Sequence, residues 1–208
     1  RIPPSAGSAS GVLGNPLGYN RVYVHLDGAF SEPAWWDGLA KGNCFVTNGP
    51  LLRVRANGRL PGAVFAAEAG KPLGMKLDVQ LTTLDHLTQL EVIQNGRVIQ
   101  VITCTTDRDQ SHAIDLKINR SGWLMVRGIA ENPKTFRFAS TAPFYVELGQ
   151  EKRRISKASS RFFLDWVNER IDRVKANITD KSQQAEVLRS HESARKFWQK
   201  KVREANAD

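Results

Sequence analysis

Between Leu73 and Leu81 every second residue is apolar (Leu73, Met75, Leu77, Val79, Leu81), and each residue between is polar or glycine. A period of two places all five side chains on one face of an extended strand and cannot be accommodated by a helix. In the last quarter of the chain the period changes. Phe163, Trp166, Val167, Ile171 and Val174 fall at i, i+3, i+4, i+8 and i+11, one apolar stripe along a helix. Leu188, His191, Ala194, Trp198 and Val202 form a second stripe after a break at Asn177–Asp180, where Thr179 has cap chemistry. The chain must therefore build a β region first and a helical hairpin afterwards, and neither apolar face can stay wet.

The β region extends beyond that one strand. Leu90, Val92 and Gln94 run into Asn95-Gly96, with Val98 and Val101 beyond. Asn-Gly tolerates the positive φ angles of a two-residue hairpin turn. Arg55-Ala56-Asn57-Gly58-Arg59 is a second hairpin candidate, and further strands are expected at 112–118, 123–129 and 144–148. About seven short strands separated by turn signals fit an immunoglobulin-like β-sandwich. The cysteine pair of an antibody domain is missing, so only the architecture is implied. The expected class is mostly β with α: residues 1–50 form one segment, 51–150 the sandwich and 151–208 the helical hairpin.

The first segment is rich in Gly, Pro and Ser up to a short strand at 22–26. Ser31 then suits an N-cap, Pro33 is tolerated in the first turn, and Gly42 can close the helix in a left-handed conformation. Trp35, Trp36 and Leu39 are expected to pack that helix. Cys44–Thr47 follows as a strand, stopped by Asn48-Gly49-Pro50.

Charge narrows the function classes. The net charge is +9. Residues 1–50 are balanced, whereas 151–208 hold fifteen basic and nine acidic side chains, densest from Glu151-Lys152-Arg153-Arg154 to Arg161. Acids are interleaved throughout, as at Asp165, Glu169 and Glu192, which suits a solvated helical face better than a phosphate-binding one. Nucleic acid is therefore not an expected partner, and no apolar run is long enough to span a membrane. The four histidines have no second ligand at metal spacing, apart from His25 and Asp27, two apart after a strand. Cys44 sits in an apolar strand as a buried free thiol; pairing with Cys104 is left open, as are compartment and oligomeric state. No nucleophile elbow, P-loop or dinucleotide fingerprint occurs. On the residues alone, no catalytic group and no cofactor is assigned.

Two stretches carry a family likeness. Pro4-Ser5-Ala6-Gly7-Ser8-Ala9-Ser10-Gly11 is followed by Gly18-Tyr19-Asn20-Arg21-Val22-Tyr23-Val24, and Gly38-Leu39-Ala40-Lys41-Gly42 leads into Phe45-Val46-Thr47-Asn48-Gly49-Pro50-Leu51-Leu52. Together they resemble the last segment of the CehA/McbA-type metallohydrolases, relatives of the polymerase-and-histidinol-phosphatase (PHP) superfamily. A sandwich with Ser121-Gly122-Trp123 and a tail around Phe162-Phe163-Leu164-Asp165-Trp166 continue the likeness. The resemblance implies a barrel whose metal ligands come mostly from sequence preceding Arg1, with residues 1–50 as the barrel's final part. It also implies a late ligand motif, Ala-Gly-Ser-Asp-x-His. Ala9 stands in place of the Asp and Gly11 in place of the His, and neither carries a ligand atom. Asn20 and Arg21 follow closely and are candidates to face that site. The chain, opening without a methionine, is thus expected to be a non-catalytic portion of a metallohydrolase-like protein. Its partner would be the N-terminal domain of its own parent chain. Two alternatives stand: a module binding a polyanion or a protein through the basic helical edge, and a metal-dependent hydrolase.

Overall fold

A computed structural model describes residues 1–9, 11, 14, 16–149 and 154–207. The chain divides into two compact units, Arg1–Lys152 and Arg153–Asp208, each described here by itself. Among the described residues the first is mostly β, with eleven strands in two sheets, and the second is a pair of helices.

The first unit opens with β1 (Arg21–Val24), α1 (Glu32–Lys41) and β2 (Cys44–Thr47). Helix α1 begins and ends as its sequence dictates: the Ser31 side chain accepts the Ala34 N–H, Pro33 lies in the first turn, and Gly42 is left-handed at φ 79°. Next come β3 (Leu51–Ala56), β4 (Val64–Ala67), β5 (Leu73–Thr82), β6 (Gln89–Gln94), β7 (Arg97–Thr103), β8 (Asp109–Ile118), β9 (Gly122–Ala130), β10 (Arg137–Thr141) and β11 (Phe144–Leu148). The small sheet runs β3-β5-β8, all antiparallel. In the large sheet β9 pairs with β6 on one side and with β10 and then β11 on the other. β7 extends the sheet beyond β6, β2 and β1 extend it beyond β10, and β4 runs parallel to β11.

One core joins the two sheets. Leu52 and Val54, the buried alternate residues of β5 (Met75, Leu77, Val79, Leu81) and Ile118 meet Leu90, Val92, Leu124, Val126, Phe144 and Val146 of the large sheet. Burying each such aliphatic side chain contributes about 1.5–3 kcal/mol, so this face holds the unit together.

The turn at Asn95-Gly96 forms as expected, with φ of 52° and 84° joining β6 to β7. The second hairpin is only half realised. Asn57 and Gly58 adopt φ 44° and 75°, and Ala56 bridges Arg59, but no ladder follows. Pro61 and Gly62 intervene, and the chain leaves β3 to place β4 beside β11 in the other sheet. β4 and β10 are additional to the expected strands.

The run Phe45–Pro50 has a clear structural job. It is the corner at which the chain leaves the large sheet for the small one. Asn48, buried, uses its side chain as a length of strand: Nδ2 donates to the Phe136 carbonyl at 2.8 Å and Oδ1 accepts the Phe138 N–H at 2.8 Å. The Arg137 guanidinium reaches the Asn48 carbonyl, and the Thr47 hydroxyl accepts the Gly49 N–H at 2.9 Å.

The second unit comprises α2 (Lys157–Asn177) and α3 (Lys181–Arg203), packed together. The α2 N-cap is Ser156, accepting the Ser159 N–H. The α3 N-cap is Asp180 rather than Thr179, its carboxylate accepting the Gln183 N–H at 2.8 Å. A charged acceptor at the positive end of the helix is the stronger cap. Ile171 and Val174 are buried, and Phe163 stacks on Trp198 with ring centres 4.6 Å apart. The expectation that Trp166 is buried with them is corrected, since it remains 53% exposed and touches Phe162 and Phe163 only at an angle.

Candidate functional site

Several described residues of the segment before β1 are tied to the rest of the unit. Arg1 pairs with Glu147 and lies over the Tyr145 ring, and the Cys44 thiol points at the Pro4 carbonyl from 3.8 Å. Ser8 is buried and accepts the Asn20 backbone N–H at 3.0 Å, while the Asn20 side chain donates to the Gly7 carbonyl at 3.1 Å. Asn20 is thus fastened to Gly7 and Ser8. Ala9 and Gly11 both take positive φ, 48° and 89°; Ser10 lies outside the described residues. Arg21 leans over the Tyr23 ring at 5.9 Å, along the same face of β1.

These positions do not fit a resident metal. A divalent ion needs several lone-pair donors converging on one point. Ala9 and Gly11 have no side-chain donor, the Ser8 oxygen already accepts a backbone amide, and Asn20 is engaged with the chain. Among the described residues no three His, Cys, Asp or Glu side chains gather anywhere. His25 and Asp27 do meet, Nε2 to Oδ1 at 3.2 Å, but as an exposed pair. His191 contacts the Val187 carbonyl one turn back along its own helix.

Neither cysteine is poised for chemistry. Both are buried and free, so they do not pair with each other. Burial pushes the Cys44 thiol up to about 11. Burial also raises Cys104, a hydrogen bond with the Leu90 backbone opposing it. A thiolate nucleophile needs the opposite shift.

A concave feature of the first unit lies elsewhere. A groove of about 520 Å³ is lined by residues 23–25, 43–45, 51–55 and 60–61, with Asp78 and Gln80. One wall is a parallel ring pair, Tyr23 on Phe45, centres 5.1 Å apart and 6° from coplanar. They stand opposite one another because β1 and β2 pair in that register. The other wall is β3, whose alternation buries Leu52, Val54 and Ala56 and turns Arg53 and Arg55 outward. Asp78 in the groove is ion-paired with Lys76 at 3.5 Å. Sequence reading missed this site. Its only local signal is Arg-x-Arg on a strand, and the ring pair depends on a contact between segments twenty residues apart.

Part of the basic helical edge is ion-paired within the second unit. Glu169 pairs with Arg173, Glu192 with Arg195, and Glu204 with Lys200 and Lys201. The hydrogen bond from Lys201 holds the Glu204 carboxyl below its ordinary range. Of the dense basic run, 151–153 lies outside the described residues. No described helix is long and apolar enough to cross a membrane. No family model matches the chain, and no curated protein and no solved structure matches it either.

Proposed function

We infer that this chain is a non-catalytic portion of a metallohydrolase-like protein, whose role is to dock on and support a catalytic barrel of PHP type. The observation carrying this reading is the uncovered side of α1. Gly38 lets the helix lie close on β1, since a Cβ there would meet Val24 Cγ1 at 2.6 Å. Yet Phe30 is 75% and Trp36 57% exposed, so the expectation that Trp36 packs within this segment is corrected. β1 beside them is an edge strand. Exposed aromatics next to an open sheet edge suit a surface that another domain covers. The likeness of the Pro4–Gly11 and Phe45–Leu52 runs to the CehA/McbA group supplies the identity of that domain. The donor-poor loop at Ala9 and Gly11 favours a supporting role over a catalytic one.

The reading includes an immunoglobulin-like form for residues 51–150. Its support is topological: β3-β5-β8 faces β7-β6-β9 with β10 and β11, and β4 lies parallel to the last strand, as a first strand does when it crosses between sheets.

Hydrogen exchange tests the docking surface. The chain alone is compared with the chain joined to whatever its reading frame encodes upstream. Protection at 21–24 and 30–40 on joining is expected; unchanged exchange there overturns the reading. Turnover of phosphate or carboxylic esters by the chain alone with zinc or manganese, above a metal-stripped control, overturns it as well.

A further inference from the structure

We propose that the groove beside β3 is a docking site for an extended acidic peptide, which adds to the free edge of that strand and lays its side chains between the arginines and the ring pair. This goes beyond the supporting role above and does not depend on it.

Three observations converge. The first is backbone chemistry. β3 is laddered to β5 on one side only, so the N–H and C=O groups of Leu52 and Val54 point away from the sheet, those of Ala56 being taken by Arg59. An open edge is a template for a further strand. The second is space. Most open edges face bulk water, but this one borders a groove of about 520 Å³, within the roughly 300–1,000 Å³ typical of ligand sites. The third is charge. Arg53 and Arg55 line the groove, the Arg55 guanidinium donating in part to the Gly58 carbonyl at 3.0 Å, and the Asp78 carboxylate opposite Arg55 is ion-paired with Lys76.

The charge also selects the occupant. A second copy of β3 could pair antiparallel only with its apolar residues on the core face, and that register sets arginine against arginine. Like charges directly opposite destabilise a strand pair. A strand carrying acids at alternate positions meets the reverse situation, each carboxylate facing a guanidinium. Its intervening side chains then turn toward Tyr23 and Phe45, where small apolar groups gain contact area. Among the other edge strands, β7 presents Val98, Ile99 and Val101 and no arginine pair, so it lacks this selectivity.

The probe is a capped heptapeptide alternating Glu and Val, titrated into the full chain and followed by backbone amide shifts. Shifts centred on Leu51–Arg55, Tyr23 and Phe45 are expected, with affinity falling as salt rises. Arg53→Gln and Arg55→Gln each weaken binding about tenfold. A Lys-for-Glu peptide is rejected by the wild type and accepted by the Arg53→Glu, Arg55→Glu double variant. Methylating alternate peptide nitrogens abolishes binding. Salt dependence and methylation are read on the wild type, so the outcome stands even if a variant misfolds. Absence of shifts in Leu51–Arg55 at millimolar peptide overturns the proposal. Equal binding of the Lys or methylated peptide overturns it too, as does concentration-dependent self-association through the same residues without peptide.

Discussion

Replacing Asn48 by alanine tests whether the Phe45–Pro50 corner is a stapled joint or a passive turn. The side chain makes two 2.8 Å bonds, accepting from Phe138 of β10 and donating to Phe136 just before it, and the residue is buried. Alanine removes both and strands the Phe138 N–H and the Phe136 carbonyl. Each hydrogen bond contributes about 0.5–1.5 kcal/mol, and the two partners are only part-buried, so the loss should be about 1–3 kcal/mol. Urea denaturation by tryptophan fluorescence, in a Trp166→Phe, Trp198→Phe background, confines the signal to Trp35, Trp36 and Trp123 of the first unit. The midpoint should fall with the slope unchanged. Asn48→Asp sharpens the test. A carboxylate still accepts the Phe138 N–H but opposes the Phe136 carbonyl, whereas the protonated acid donates to it. The folded state therefore raises that acid's pKa, and its favourable contribution is present at low pH and lost as pH rises through the raised value. The aspartate variant should resemble alanine at pH 7 and recover toward pH 4. A cost under about 1 kcal/mol for alanine, or no recovery for aspartate, would refute the stapled-joint account.

Other perturbations address single features. Gly62 has φ 88° and a Cβ there would sit 1.9 Å from the Lys41 carbonyl oxygen, while Gly58 has φ 75° and open space. Gly62→Ala should cost about 2–5 kcal/mol and Gly58→Ala only about 1–2 kcal/mol in the same urea assay. The Cys44 thiol, raised to about 11 from an ordinary value near 9, binds its proton more tightly in the folded state. Its contribution is present below pH 9 and lost as pH climbs to about 11. That loss is about 2–3 kcal/mol, and Cys44→Ala should remove it from the alkaline limb of the stability curve. His112 Nε2 is buried without a hydrogen-bond partner, so His112→Leu should raise stability by about 1 kcal/mol, read as a higher urea midpoint. Asp180→Ala should cost α3 about 1 kcal/mol in a circular-dichroism melt and Thr179→Ala almost nothing.

Local chemistry was legible wherever a few neighbouring residues decide the outcome. The α1 caps, the alternation of β5 and the Asn95-Gly96 turn all belong to this class. β4 and β10 escaped because their sequences, Val-Phe-Ala-Ala and Arg-Phe-Ala-Ser-Thr, carry no clean alternation. The strand state of β4 comes from β11, far away in sequence, and that of β10 from distant β2 together with its neighbour β9. At Asn57-Gly58 the local signal was right about the turn and silent about where the chain went next. A turn reverses direction, but a ladder also needs a following strand with donors and apolar faces in register, and Leu60-Pro61-Gly62 does not supply one.

The same division explains why the candidate site was looked for in one place and found in another. Reading along the chain drew attention to Ala9, Gly11, Asn20 and Arg21, which are neighbours in sequence. Folding uses Asn20 and Ser8 to fasten a loop and turns Arg21 toward Tyr23. Tyr23 then meets Phe45 across a ladder, and both face a strand whose arginines looked like ordinary solvent-side residues. Arg53 and Arg55 are the usual defence of an exposed strand edge against its own kind. Set beside a groove and a ring pair, the same two charges become a criterion for which strand can be admitted. A sequence pattern that reads as protection against association is, in this geometry, the basis of selectivity, and peptide charge is the variable that separates the two.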